Sequence, residues 1–113
     1  MAGVEQPNVI DLVARDASGR SLLVIVETRS WGAEKAQATQ LKEKINAYAG
    51  FILDGSLTRA YPQTAGRPVD IQLNCVEAPN GQFAEILAHT VTQLEKLGIG
   101  FRVNVAPLRA SQG

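Results

Sequence analysis

A chain of 113 residues accommodates one domain, not two, and 45% hydrophobic residues supply enough apolar surface for a core, which excludes wholesale disorder. Its 11 basic and 11 acidic side chains cancel. The chain therefore lacks the broad basic field that drives most nucleic-acid binding, and nucleic acid is a disfavoured partner.

In chain order, the opening MAGVEQPNVI joins no basic stretch to an apolar one, and the longest apolar run is Leu22 to Val26. A bilayer span takes roughly 20 apolar residues, so neither a signal peptide nor a membrane helix is expected, and the default location is cytoplasmic. The domain is expected over residues 8–106, with 1–7 and 107–113 as flexible ends. Val9 to Asp16 reads as a strand, Ala17-Ser18-Gly19 as a turn closing on a left-handed glycine, and Arg20 to Arg29 as a second strand. Pairing Asp16 with Arg20 puts Ile10, Leu12 and Ala14 on one face with Leu22, Val24 and Val26. That face is wholly apolar, so it is the expected core face.

Ala33 to Asp54 has helical periodicity, with Leu41, Ile45, Tyr48, Ala49, Ile52 and Leu53 on the buried stripe and Lys42, Glu43, Lys44 and Asn46 opposite. Ser30 is the expected N-cap and Gly55 the residue that ends the helix. Residues 56–68, with Tyr61-Pro62 and Gly66-Arg67-Pro68, read as a turn or single helical turn and then a loop. Val69, Ile71, Leu73 and Cys75 alternate with Asp70, Gln72 and Asn74 as a strand with one dry face. Asn80 caps a second helix, Gln82 to Leu97, that turns Phe83, Ile86, Leu87, Thr90, Leu94 and Leu97 inward and closes at Gly98. Ile99, Phe101, Val103 and Val105 alternate as the last strand.

The order β-β-α-β-α-β, with right-handed crossovers, predicts an α/β (α+β) two-layer sandwich. Its four-stranded mixed sheet carries both helices on one face, strand one is an antiparallel edge, and strands two to four are parallel. The other face leaves Val13, Leu23 and Ile25 bare, with Asp11 beside them. A second copy of the chain is the simplest cover for such a surface, so Asp11, Val13, Leu23 and Ile25 form the expected homodimer face.

Chemistry concentrates near the end of the second strand. Asp11, Glu27 and Arg29 share a face in the preferred register. A carboxylate facing a Glu-x-basic triplet resembles the metal-binding hairpin of restriction-endonuclease-like nucleases, where paired carboxylates hold magnesium. Here the triplet ends in arginine, whose pKa is too high for proton transfer, and the element order lacks part of that core. The cluster is therefore expected to be structural and metal-free. Ligands of open parallel sheets bind beyond the carboxyl ends of the strands, so Glu27, Arg29, Trp31, Asn74 and Glu77 are the candidate ligand site. In the competing reading, Trp31 plugs the end of the core. His89 is expected on a solvated helix face, and Cys75, the only cysteine, as an inert core thiol. No cofactor motif, catalytic residue or cysteine-based metal site is expected.

The segments IDLVARD, VETRSW, LKEKINAY with LDG, and AYPQTAGRPVDIQLNCVEAP resemble a family of small bacterial proteins without an established activity. The resemblance spans roughly residues 8–105 and rests on Ile10-Asp11, Val26-Glu27, Arg29, Trp31, Tyr61-Pro62 and Pro68-Val69. It implies an intact single domain and carries no mechanism. The expected function is a non-enzymatic binding or adaptor domain acting as a homodimer on a small-molecule or protein ligand. The alternative is a degenerate metal-dependent nuclease using Asp11 and Glu27.

Overall fold

The computed structural model describes residues 12–106. Asp11 and both expected flexible ends, 1–7 and 107–113, lie outside the described residues. The elements run β1 (Leu12–Arg15), β2 (Ser21–Glu27), α1 (Gln37–Leu53), α2 (Ser56–Ala60), a 3-10 turn (Pro62–Thr64), β3 (Val69–Cys75), α3 (Gly81–Glu95) and β4 (Gly100–Val105).

The β1–β2 hairpin has the expected register, Leu12 opposite Val24 and Ala14 opposite Leu22. Its turn is set by Asp16: one carboxylate oxygen accepts from the amides of Ser18 (2.9 Å) and Arg20 (3.0 Å) and from the Ser18 hydroxyl (2.7 Å). Gly19 takes a φ of +88° that a side chain would disfavour. The sheet order is β1-β2-β3-β4, with β2, β3 and β4 parallel. Each crossover carries helix, as parallel connections require. The two-layer α/β architecture is as expected, with α2 added between α1 and β3.

The faces of β1 and β2 are the reverse of the sequence expectation. Leu23 and Ile25 are fully buried among Leu41, Ile45, Tyr48, Phe83 and Leu87, and Val13 packs against the same core. Leu22 and Val24, buried too, lie on the opposite face beside Asp70 and Gln72. The cause is the run Leu22 to Val26: when every position is apolar, alternation cannot tell the faces apart. β3 decides the matter. Leu23 lies beside Ile71 and Ile25 beside Leu73, and the dry side of β3 is the odd one. Leu23 and Ile25 therefore cannot form a bare homodimer face.

Two helix details also depart from expectation. Lys44 is fully buried, with its ammonium 5.2 Å from the Tyr48 ring centroid. It lies three residues after Leu41 and four before Tyr48, so helical geometry puts it on the inner stripe whatever its charge. Leu53 and Leu97 are exposed instead of inward-facing. α1 starts at Gln37, not near Ser30, and its first residue is preceded by turns. Gly98 closes α3 as expected: the amides of Ile99 and Gly98 return to the carbonyls of Leu94 and Glu95 (both 3.0 Å), a Schellman closure that buries Ile99.

Candidate functional site

β2 ends by delivering Glu27 to the helix-covered side of the sheet, where it is 2% exposed. A carboxylate desolvated to this degree requires full pairing, and it has it. One oxygen accepts from the Arg29 amide (2.9 Å) and Arg29 Nε (2.9 Å); the other accepts from Arg29 Nη2 (2.8 Å) and Gln37 Nε2 (3.1 Å). Gln37, itself fully buried, uses its own oxygen to accept from the Gly32 amide at 2.7 Å. Arg29 reaches on to Glu34 at 2.9 Å. The strand end, the 28–36 loop and the first residue of α1 are thus joined around one carboxylate. Burial alone would raise the Glu27 pKa, but the bonds from Arg29 and Gln37, with the guanidinium charge, more than reverse this and hold it below its ordinary value.

Beside it the Ser30 hydroxyl donates to the Glu77 carboxylate at 2.9 Å, and Trp31 Nε1 donates to the Glu77 carbonyl at 2.8 Å. The indole lies 4.9 Å from the Phe83 ring, centroid to centroid. Trp31 therefore bolts the loop after β2 to the loop after β3 and plugs the core end. Asn74 is elsewhere. It lies on the sheet face away from the helices, accepting from Gln72 Nε2 (2.8 Å) and Asn104 Nδ2 (3.3 Å). Of the five residues expected to line one pocket, the structure makes a Glu27–Arg29 unit and a Trp31–Glu77 unit, and Asn74 is hydrogen-bonded within the sheet. A small hollow of about 130 Å³ remains at the strand ends, bordered by Glu27, Asn74, Cys75 and Ala106. The Cys75 thiol is pushed up in pKa by burial and by the Glu27 charge, so it stays protonated and unreactive.

Two groups were not singled out from the sequence. Gln37 is one; its signal was its place four residues before Leu41 on the buried stripe. The other is Asp70, 5% exposed at the start of β3. Arg20 grips it with Nε at 2.8 Å and Nη2 at 2.6 Å, and Arg102 adds a contact at 2.8 Å and another to Asp16 at 3.4 Å. The Arg20 bonds lead in holding the Asp70 pKa down, burial opposes them, and Arg102 reinforces them. The Gly100 amide also donates to Asp70, at 3.2 Å.

His89 is exposed on α3, bordering a groove of about 420 Å³ floored by Ile45, Ala49 and Leu94. Among the described residues no three histidine, cysteine or acidic side chains gather as a metal site, and no helix is long and apolar enough to cross a membrane. These features define a small mixed α/β domain whose strand ends are closed by ion pairs and an indole. The chain belongs to the family of unknown function DUF6572, whose model matches residues 2–107. Comparisons with curated proteins and with solved structures gave no match.

Proposed function

We propose that this chain is a non-catalytic binding domain that works as a homodimer, set in a bacterial cytoplasm. One observation carries the non-catalytic reading: every acceptor position of Glu27 is occupied by Arg29 or Gln37. A general base needs a free lone pair and a pKa near the working pH, and a metal ligand needs an uncommitted oxygen. Glu27 offers neither. Its work is to fix the 28–36 loop, which supports a rigid recognition surface for a small-molecule or protein ligand. The single buried cysteine, kept as a thiol, suits a reducing compartment. The homodimer is supported by apolar side chains left exposed on β4, Val103 and Val105.

The test is to melt the chain with and without magnesium or manganese, and to incubate it with DNA and RNA. The expected result is an unchanged melting temperature and no cleavage, since a cation bound only to the native state must raise the transition. Cation-dependent cleavage that disappears in Glu27→Gln would restore the nuclease reading.

A further inference from the structure

We propose that the homodimer forms by antiparallel pairing of β4 with β4 of a second copy, about a two-fold axis at Val103. This rests on the homodimer reading above and assigns its interface.

The backbone points the way. β4 pairs with β3 alone among the described strands. The Ala106 amide donates to the Cys75 carbonyl at 2.8 Å, and Cys75 is in register with Val105. In a parallel ladder this fixes the parity: even residues of β4 turn their amides and carbonyls to β3, and Phe101, Val103 and Val105 turn theirs to the free edge. The two edges of the sheet differ in their protection. β1 ends in a charged residue, Arg15, an ordinary guard against strand addition. β4 has six residues, no proline and no lysine, and its one charge, Arg102, is engaged by Asp70 and Asp16 on the face away from the helices. Val103 is 39% exposed and Val105 42%.

The sequence GFRVNV is complementary to itself in one register. Centring on Val103 sets Val103 against Val103, Phe101 against Val105, and Arg102 against Asn104. Every outward-turned residue then meets an outward-turned residue, so each such pair exchanges both of its hydrogen bonds. Centring on Arg102 instead would set two arginines face to face, which is destabilising; centring on Asn104 would carry Phe101 past the end of the second copy's β4. A closed two-fold pairing also removes the free edge from both copies at once.

The experiment uses the full chain and three variants, with mass measured by light scattering and sedimentation across a wide concentration range. Wild type is expected at twice the 12.1 kDa chain mass. Val103→Pro removes only an edge-facing N–H, and Val103→Lys puts charge at the axis; each should weaken dimerisation about tenfold or more. Circular dichroism of the dilute monomers should match wild type. Val103→Cys should oxidise to a covalent dimer, because directly opposed residues of such a pair lie about 5.5 Å apart between Cα atoms, within disulfide reach. A wild-type dimer that survives both Val103→Pro and Val103→Lys, with no cross-link in Val103→Cys, overturns the β4 interface and leaves the homodimer standing. A wild-type chain that stays at 12.1 kDa at every concentration overturns both.

Discussion

Glu27 and Asp70 are both buried carboxylates gripped by arginine, at opposite ends and on opposite faces of the sheet, yet they are held in different ways. Glu27 takes its cation from Arg29, two residues away, and its remaining bond from Gln37. It organises a local loop, and Arg29 is itself only 19% exposed. Asp70 is held by Arg20 from the β1–β2 turn and by Arg102 of β4, residues remote in sequence. It ties the hairpin, β3 and β4 together, through arginine side chains 37% and 43% exposed. The same ion-pair chemistry thus serves a desolvated local clamp in one place and a solvated long-range one in the other. The first should carry more energy, because removing a buried charge strands partners that water cannot reach.

The largest expected effect comes from Glu27→Ala. Losing the carboxylate leaves Gln37 with an unmet donor in the core and should cost about 3 kcal/mol, measured by urea unfolding. Asp70→Ala frees arginines that water can solvate and should cost about 1–2 kcal/mol. Equal costs, or a reversed order, would break the comparison.

Gly100→Ala sharpens the Asp70 half. A Cβ at Gly100 would stand 2.5 Å from Asp70 Oδ1 and 2.9 Å from Cγ. The carboxylate cannot swing aside without leaving Arg20 and Arg102. The substitution should cost about 1–2 kcal/mol in the wild-type background and much less in Asp70→Ala. A double-mutant cycle with no coupling would show that the contact is not what makes glycine necessary.

The smallest effects concern pH and salt. Both carboxylates have native pKa values below their ordinary ones, so the unfolded chain takes up protons first as pH falls. Their stabilisation is complete above the ordinary carboxylate range and is lost as pH drops through the native values. Wild type should therefore weaken in acid, and Glu27→Gln should flatten part of that slope. Added salt should lower the contribution of Asp70 and leave that of Glu27 nearly unchanged. Thermal melts of wild type, Glu27→Gln and Asp70→Ala over a grid of pH and salt would reveal the opposite assignment.

What the sequence disclosed depended on how each segment was patterned. β3 alternates without exception, and its dry face was correctly legible as Val69, Ile71, Leu73 and Cys75. The hairpin register was legible because Gly19 and Asp16 define the turn. Which side of β2 met the helices was not, because Leu22 to Val26 is apolar at each position and the answer lay in its pairing with β3. The strand-end residues were found, but their grouping was hidden. Glu27 and Arg29 pair directly while a glutamine on α1 completes the carboxylate's bonds, and Asn74 points the other way because it is even-numbered on β3. Reading that strand's parity through to Asn74 would have put its side chain on the face opposite Glu27. Lys44 was misplaced because its charge outweighed its position, although a long aliphatic stem fits a buried stripe well.

The linear strand order carries a consequence for how the chain acquires its structure. β1 and β2 meet across a short turn and form early, but Ser21 must wait for Val69 before its other side is paired. Until then a strand apolar on both faces is presented to solvent with one edge open, in a nascent chain whose covering helices have no sheet to dock on. Docking of β3 is therefore the step that should limit refolding, and the interval before it is when the chain is most exposed to self-association.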